Sequence, residues 1–257
     1  MAEKLFLKTP EQIEGIRKSC HLARKATKYI APMLQPGVST KFLDKKIEEF
    51  VRDHGGTPAT LNYHGYPASS CISINDVICH GIPADNIIIK AGDLVKVDVS
   101  TILNGFFGDT CMSYAIEPVS QEINRLMRIT LECLNLGIKQ CKPGNYIGNI
   151  GYVISNHAHK HGYSVVYQFC GHGVGLSLHE APEVAHEADE NTGPKMKPGM
   201  TFTIEPMINQ GKARAKVDKK DGWTARTIDG KLSAQYEHTV LITDSGVDVL
   251  TDVDNEY

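Results

Sequence analysis

The sequence predicts an α+β protein built from two related halves. Segments with apolar residues at helical spacing alternate with short apolar runs that are typical of strands. Short features also recur at one offset, because 143 − 36, 161 − 54 and 199 − 92 all equal 107. The matching features are Pro36-Gly37 with Pro143-Gly144, His54-Gly55 with His161-Gly162, and Gly92 with Gly199. Pro-Gly pairs are common in turns, so chance is the alternative. The repeat favours one domain with halves at about residues 9–118 and 119–250.

Four helices are predicted from capping residues and apolar periodicity. The first begins after Thr9, a capping residue followed by Pro10 at the first helical position and Gln12 at the third. The other three are expected at about Ser39–His54, from about Ser120, and at about Tyr146–His161. Strands are expected at Cys71–Ile74, Leu94–Val99, Val165–Phe169, Met200–Ile204 and Tyr236–Ile242.

The composition is that of an ordinary globular domain, and it narrows the functional classes. Hydrophobic residues make up 41% of the 257 residues and the formal net charge is −3, so no basic field for DNA or an anionic membrane is expected. No apolar run is long enough for a transmembrane helix, and no signal or transit peptide is expected. The seven cysteines include no Cys-x-x-Cys pair, which favours reduced thiols in the cytoplasm over disulfides or a thiolate zinc site.

Four carboxylates occupy or end apolar, strand-like runs. In VKVDVSTILNGFFGDT, Asp98 lies in the first run and Asp109 ends the second, with a turn signal at Asn104-Gly105 between them. A single aspartate in a strand usually faces solvent, and for Asp98 alone that is the simpler interpretation. Glu205 in TFTIE and Glu237 in QYEHTVLI repeat the pattern, and Glu205 matches Asp98 at the 107-residue offset. Buried carboxylates are costly unless they are paired or bound to metal, so their convergence would require a divalent cation.

The nitrogen ligand for such a site is expected in GHGVGLSLH, which runs from Gly171 to His179. Its glycines allow a close approach of the backbone, although a structural glycine turn with incidental histidines is an equal alternative. His172 is the predicted ligand, while His179 and His80 are expected to stay unligated for proton transfer. One imidazole among four carboxylates suits Mn²⁺, Fe²⁺, Co²⁺ or Zn²⁺, and this many carboxylates favours two cations.

Together, these residues and the motifs HGIP, GHGVG, TFTIEPM and SAQYEHT resemble type I methionine aminopeptidases over almost the whole chain, in the short bacterial form. The resemblance implies the pita-bread fold, with two pseudo-symmetric α/β halves around a central antiparallel sheet. It also implies an enzyme that removes the N-terminal methionine from nascent proteins when the second residue is small. Two divalent metal ions per chain would hold the hydroxide that attacks the scissile carbonyl.

The resemblance further assigns roles to individual residues. Glu205 would pass a proton towards the leaving amine, His179 would contact the scissile carbonyl, and His80 would contact the adjacent amide. The implied metal ligands are Asp98 on one ion, His172 and Glu205 on the other, and Asp109 and Glu237 as bridges. The implied methionine pocket is Tyr63, Tyr66, Cys71 and Trp223, with Thr60 and Leu178 departing from the usual bacterial cysteine and aromatic residue. The alternative interpretation of Trp223 is a packing residue under the loop after Asp221-Gly222, and only the family resemblance favours the pocket.

Two other functional classes compete with this interpretation. A prolidase or Xaa-Pro aminopeptidase shares the fold and ligands but usually carries a further N-terminal domain, for which the first ligand at Asp98 leaves no room. A non-catalytic pita-bread binding protein would be expected to lack some ligands. The expected partners are nascent chain N-termini, with a monomeric enzyme in the cytoplasm. The basic segment Gly211–Lys220 is either a solvated loop or a contact to the ribosome near the exit tunnel.

Overall fold

Helices and antiparallel strands alternate along the computed structural model, which describes residues 5–253. The α-helices of this range are α1 (Pro10–Ile30), α2 (Thr40–Asp53), α3 (Gln121–Ile138) and α4 (Gly148–Lys160). The strands are β1 (Thr57–Pro58), β2 (Cys71–Ile74), β3 (Val77–Cys79), β4 (Leu94–Leu103), β5 (Phe106–Ala115), β6 (Ser164–Val165), β7 (Gly171–Gly173), β8 (Glu180–Val184), β9 (Thr201–Ile204), β10 (Met207–Asn209), β11 (Ala215–Val217), β12 (Ala225–Thr227), β13 (Ser233–Gln235), β14 (His238–Ile242) and β15 (Val247–Val249). No helix within residues 5–253 combines the length and hydrophobicity needed to cross a membrane.

The first half of the chain packs α1 and α2 against a long hairpin. β4 and β5 pair along their full length, and their turn has positive φ at Asn104 (52°) and Gly105 (83°), as a tight hairpin requires. Three valines of β4 join the core formed with α1 and α2. α1 lies so close to β5 that a side chain at Gly108 would come within 2.3 Å of the backbone nitrogen of Cys20. One face of the hairpin is therefore fixed by the helices, and its other face carries the polar residues of the site.

The second half repeats this layering with α3 and α4. Their apolar residues share a core with β9 and β14 of a five-stranded sheet in the order β15-β14-β9-β7-β8. β4 and β9 begin 201 − 94 = 107 residues apart, and α2 and α4 begin 148 − 40 = 108 residues apart. These spacings follow the repeat in the sequence, while the division into halves at residues 9–118 and 119–250 of a single domain stays a prediction.

The structure confirms the predicted helices and shortens two predicted strands by at least two residues, at Val165–Phe169 and at Tyr236–Ile242. Thr9 and Gln12 form the reciprocal capping box at the start of α1. The strand expected at Val165–Phe169 is wrong beyond Val165, where β6 ends. The chain leaves the sheet because the Gln168 side chain takes over the pairing, donating to the Ala215 carbonyl at 3.0 Å and accepting from its N–H group. Residues 168–170 then line a cavity instead of continuing a strand.

Candidate metal centre

The β4–β5 hairpin places two carboxylates on one face of the sheet. Asp98 lies opposite Cys111, and Asp109 lies opposite Ser100, so the two aspartates are diagonal neighbours across the strands. Side chains two residues apart on a strand share a face, which directs both carboxylates away from the valine core. The Ser100 hydroxyl donates to Asp109 Oδ1 at 2.8 Å. The two-residue turn thus fixes both acidic positions through strand register.

The second half brings two glutamates to the same place from the ends of neighbouring strands. Glu205 directly follows β9, and Glu237 directly precedes β14, which pairs with β9. The Glu237 N–H donates to the Cys111 carbonyl at 2.8 Å, and the Thr110 hydroxyl donates to the Glu237 carbonyl, also at 2.8 Å. The strand predicted from Tyr236 begins only at His238, because the backbone of Glu237 pairs with β5 of the first half instead.

His172 enters the site from the middle of β7, between two glycines. A side chain at Gly171 would lie 2.4 Å from the Thr203 carbonyl oxygen, and one at Gly173 would lie 2.3 Å from that of Ala181. The GHG sequence therefore allows β7 to lie against its neighbours while it presents the imidazole. His172 Nδ1 donates to the Gly173 carbonyl at 3.0 Å, which leaves the Nε2 lone pair available to a cation.

The ligand atoms of these residues converge. Those of Asp109, His172 and Glu237 all lie within 4.8 Å of one another. His172 Nε2 is also 3.6 Å from Glu205 Oε1 and 3.8 Å from Asp109 Oδ2. Asp98 lies in the same cavity and close enough to Asp109 for their charges to repel. The structure thus brings together all five residues that the sequence predicts as metal ligands.

Burial gives these carboxylates an unfavourable electrostatic environment. It raises the pKa of Asp98, Glu205 and Glu237 well above the ordinary range, and repulsion from Asp109 raises each of them further. The pKa of Asp109 itself rises to about 6, since burial outweighs its hydrogen bonds. Burial likewise lowers the pKa of His172 to about 3, so its imidazole is neutral at physiological pH. Four converging carboxyls and a neutral imidazole lone pair form an oxygen-rich donor set that fits hard or borderline divalent cations.

The side chains that donate hydrogen bonds to the carboxyl groups are uncharged, so they do not neutralise the charge of an ionised carboxylate. Besides Ser100 on Asp109, the Thr203 hydroxyl donates to Glu205 Oε1 at 2.8 Å and the Gln235 amide donates to Oε2 at 3.3 Å. Such outer hydrogen bonds orient carboxylate ligands without neutralising them. Sequence reasoning missed all three residues. Strand alternation could have indicated them, since each lies two positions along the chain from a predicted ligand.

His186 is a further missed residue, and the sequence held no signal for it. Its fully buried ring accepts the Glu205 N–H at Nε2 over 3.1 Å. The proton is therefore on Nδ1, which has no partner among the described residues. This contact fixes the backbone of Glu205 just before Pro206, and only the tertiary fold creates it.

The predicted site residues all line one cavity of about 540 Å³. They are Thr60, Tyr63, Tyr66, Cys71, His80, Asp98, Asp109, His172, Leu178, His179, Glu205, Trp223 and Glu237. One wall is apolar, where Tyr66 and Cys71 pack with Trp223 and the Tyr66 and Trp223 rings meet edge to face at 5.2 Å. The cavity therefore joins an acidic cation site to an aromatic pocket.

Two histidines border this junction. The Tyr63 hydroxyl lies 2.7 Å from His179 Nδ1, and the His179 and His172 rings are 4.0 Å apart. His80, with a positive φ of 55°, lies between the rings of Phe169 and Trp223 at 5.3 and 6.0 Å. Burial lowers the pKa of His80 to about 4 and also lowers that of His179. Both rings are therefore neutral hydrogen-bonding groups at physiological pH.

A buried donor set of this composition, open to a substrate-sized cavity, is typical of metal-dependent hydrolases. The profile of metallopeptidase family M24 matches residues 14–244, and the chain belongs to this family. It is 45% identical to methionine aminopeptidase A of a Synechocystis species, over 98% of this chain and 99% of the relative. The crystal structure of methionine aminopeptidase from Rickettsia prowazekii superposes with a TM-score of 0.95 at 40% identity, covering 96% of this chain and all of the other.

A prolidase of known structure gives a weaker match. The enzyme from Pyrococcus furiosus has a TM-score of 0.79 at 25% identity, and the match covers 97% of this chain and 66% of the prolidase. The shared pita-bread fold is therefore confirmed. Both the identity and the fit favour the methionine aminopeptidase branch over the prolidase alternative.

Proposed function

We propose that this M24 metallopeptidase removes the N-terminal methionine from newly made proteins whose second residue is small. The observation that carries the proposal is the cavity that joins five metal-ligand residues to an apolar, aromatic wall. The wall suits a thioether side chain, because sulfur makes favourable contacts with aromatic rings. A chain terminus could enter the cavity with its first side chain against Tyr66 and Trp223 and its first peptide bond beside the carboxylates.

In this proposal, two divalent ions of Mn, Fe, Co or Zn are held by Asp98, Asp109, His172, Glu205 and Glu237. When bound there, such ions would supply a water-derived nucleophile at neutral pH and would polarise the scissile carbonyl. Support for two ions comes from the donor count, since four carboxylates exceed what one ion with an open position uses. The second-position preference is carried over from the family resemblance.

The remaining polar groups move or hold protons around the peptide bond. Glu205, fixed by Thr203, Gln235 and the backbone contact to His186, accepts a proton from the nucleophile and delivers it to the leaving amine. When the Tyr63 hydroxyl donates to His179 Nδ1, the proton of the neutral ring is on Nε2, which can then donate to the developing oxyanion. His80 contacts the adjacent amide.

Two pocket residues, Thr60 and Leu178, differ from the usual bacterial ones, and we expect them to change the shape of the pocket and not the reaction. The Thr60 hydroxyl donates a hydrogen bond to the Ala68 carbonyl at 3.2 Å, and the Leu178 side chain is 3% exposed in the cavity wall. Both side chains therefore contribute to the shape of the methionine pocket. We expect them to alter the preference among inhibitors more than the preference for methionine.

The test is peptide hydrolysis by metal-stripped protein titrated anaerobically with Mn²⁺, Fe²⁺, Co²⁺ or Zn²⁺. Met-Ala peptides should be cleaved and Ala-Pro peptides should not, with activity saturating at up to two ions per chain. Cleavage of Ala-Pro in preference to Met-Ala would establish the prolidase alternative. Absence of cleavage with every metal would favour a binding protein.

The protein acts in the cytoplasm as a monomer and meets its substrates at the ribosome in this proposal. Support comes from Gly211–Lys220, where Lys212, Arg214 and Lys216 are exposed beside or within β11. Exposed lysine and arginine side chains bind phosphate backbones in a salt-dependent way. Charge reversal of these three residues should abolish ribosome co-sedimentation, and unchanged, salt-insensitive binding would refute the contact.

A further inference from the structure

A second group of metal-ligating side chains lies outside the cavity, where α3 meets the end of α4. Glu132 belongs to α3, His157 to α4, and His161 follows the last residue of α4. Their ligand atoms all lie within 4.8 Å of one another. The two histidines are one helical turn apart, and their ring centroids are separated by 4.6 Å. None of these residues takes part in the proposed peptidase mechanism.

Both oxygens of the Glu132 carboxylate already have partners, and one of these partners is a histidine of the same group. Arg128 Nη1 contacts Glu132 Oε1 at 2.6 Å, while His157 Nε2 contacts Oε2 at 2.8 Å. A hydrogen bond to the outer oxygen orients a carboxylate ligand in many metal sites. The side chains of Glu132 and His157 are 38% and 21% exposed, so an ion in solution can reach them.

We propose that Glu132, His157 and His161 bind a divalent transition-metal ion of the zinc and nickel class. Two imidazoles and one carboxylate leave a fourth, water-accessible position in a tetrahedral site. In tetrahedral zinc sites, neighbouring nitrogen and oxygen ligands are about 3.3 Å apart, by the usual bond lengths. The His157–Glu132 contact therefore needs to open by only about 0.5 Å for the ion to replace the shared proton.

The ion would join two helices that already meet at this point. Arg125 Nη2 donates to the His161 carbonyl at 2.8 Å and carries its guanidinium over the Tyr163 ring at 5.2 Å. The site differs from the acidic cavity because it has two nitrogen ligands and one carboxylate. Such a set prefers Zn²⁺, Ni²⁺ or Cu²⁺ to Mn²⁺, which oxygen-rich sites accept readily.

The test is equilibrium dialysis of the full chain against Zn²⁺ with excess Mn²⁺ present, followed by metal analysis per chain. We expect wild-type protein to bind one more zinc ion per chain than His157→Asn and His161→Asn. Glu132→Gln should lower the affinity for this additional ion at least tenfold. His159→Asn is the matched control, because His159 lies on the same helix and is exposed but is outside the group. It should retain the extra ion.

Two results would overturn the proposal. One is equal zinc binding by wild type, His157→Asn and His161→Asn. The other is an equal loss in His159→Asn, which would indicate unspecific binding to surface histidines. Unchanged Met-Ala hydrolysis by all four variants shows that they are folded, and it separates this site from the peptidase centre.

Discussion

The two halves of the molecule deliver their carboxylates in different ways. In the first half, Asp98 and Asp109 are 109 − 98 = 11 residues apart and belong to one hairpin with a two-residue turn. In the second half, Glu205 and Glu237 are 237 − 205 = 32 residues apart and lie just outside the strands β9 and β14. The first pair is placed by local strand register. The second pair depends on contacts with residues that are distant in the sequence.

The two glutamates of the second half are thus positioned partly by other segments of the fold. Glu237 is anchored through the Cys111 carbonyl of the first half, and Glu205 through the His186 ring. A hairpin can form early from local contacts, whereas these long-range contacts require the assembled protein. We therefore expect the second pair to be more sensitive to changes in its surroundings.

The largest effect is expected for Glu205→Gln. The amide cannot accept a proton, so kcat/KM on Met-Ala peptides should fall by about 10³-fold, within the usual range for general acid–base residues. Thermal unfolding should stay cooperative, because the side chain keeps its size and its amide oxygen can still accept the Thr203 hydroxyl. Glu49→Gln is the control and should retain full activity, because Glu49 lies on the solvent-facing side of α2 and outside the cavity. Activity within tenfold of wild type would contradict the role of Glu205.

Removing the hydrogen bonds that support the carboxylates should weaken metal binding more in the second half than in the first. His186→Ala removes the anchor of Glu205 and should weaken metal binding by about 10- to 100-fold. Ser100→Ala removes only one hydrogen bond from Asp109, which strand register still holds, and should cost a few-fold at most. His186→Gln, whose amide oxygen can accept the same N–H, should recover part of the loss. Metal titration of activity measures all three variants, and equal losses for His186→Ala and Ser100→Ala would contradict the comparison.

Metal removal should make stability depend on pH. A carboxyl whose pKa is raised in the folded state favours folding at low pH, and this advantage is lost as pH rises through the folded pKa. For Asp109 that window runs from its ordinary pKa of 3.8 to about 6, and the other three carboxyls extend it upward. The metal-loaded protein should therefore melt above the stripped protein by a margin that grows by roughly 5 °C from pH 5 to pH 8. A constant margin, measured by calorimetry, would contradict the buried-charge interpretation.

The smallest effect is expected at the hairpin turn. Gly105→Ala places a side chain at a φ of 83° and should lower the free energy of unfolding by about 1 kcal/mol. Gly246→Ala is the matched control, since a side chain there meets nothing within 4 Å and its φ lies outside the left-handed region. Denaturant unfolding compares the two variants. Equal stabilities would mean that the turn does not constrain the register of Asp98 and Asp109.

Local sequence signals predicted a large part of the fold. The capping residues Thr9, Ser39 and Ser120 begin α1, α2 and α3 as expected, because a side-chain cap acts over three residues. The hairpin turn at Asn104-Gly105 was equally local. The strand expected at Val165–Phe169 was wrong because Gln168 binds Ala215, 47 residues away, and no local pattern records such a contact.

The sequence alone reveals the types and order of the predicted metal ligands and the family to which the chain belongs. Those properties follow from residue identity and short spacing. Tertiary structure alone decided that His186 supports Glu205, that Cys111 holds Glu237, and that Tyr63 reaches His179 over 116 positions. The physical reason is that hydrogen bonds act over about 3 Å in space and carry no trace of the length of chain between their partners.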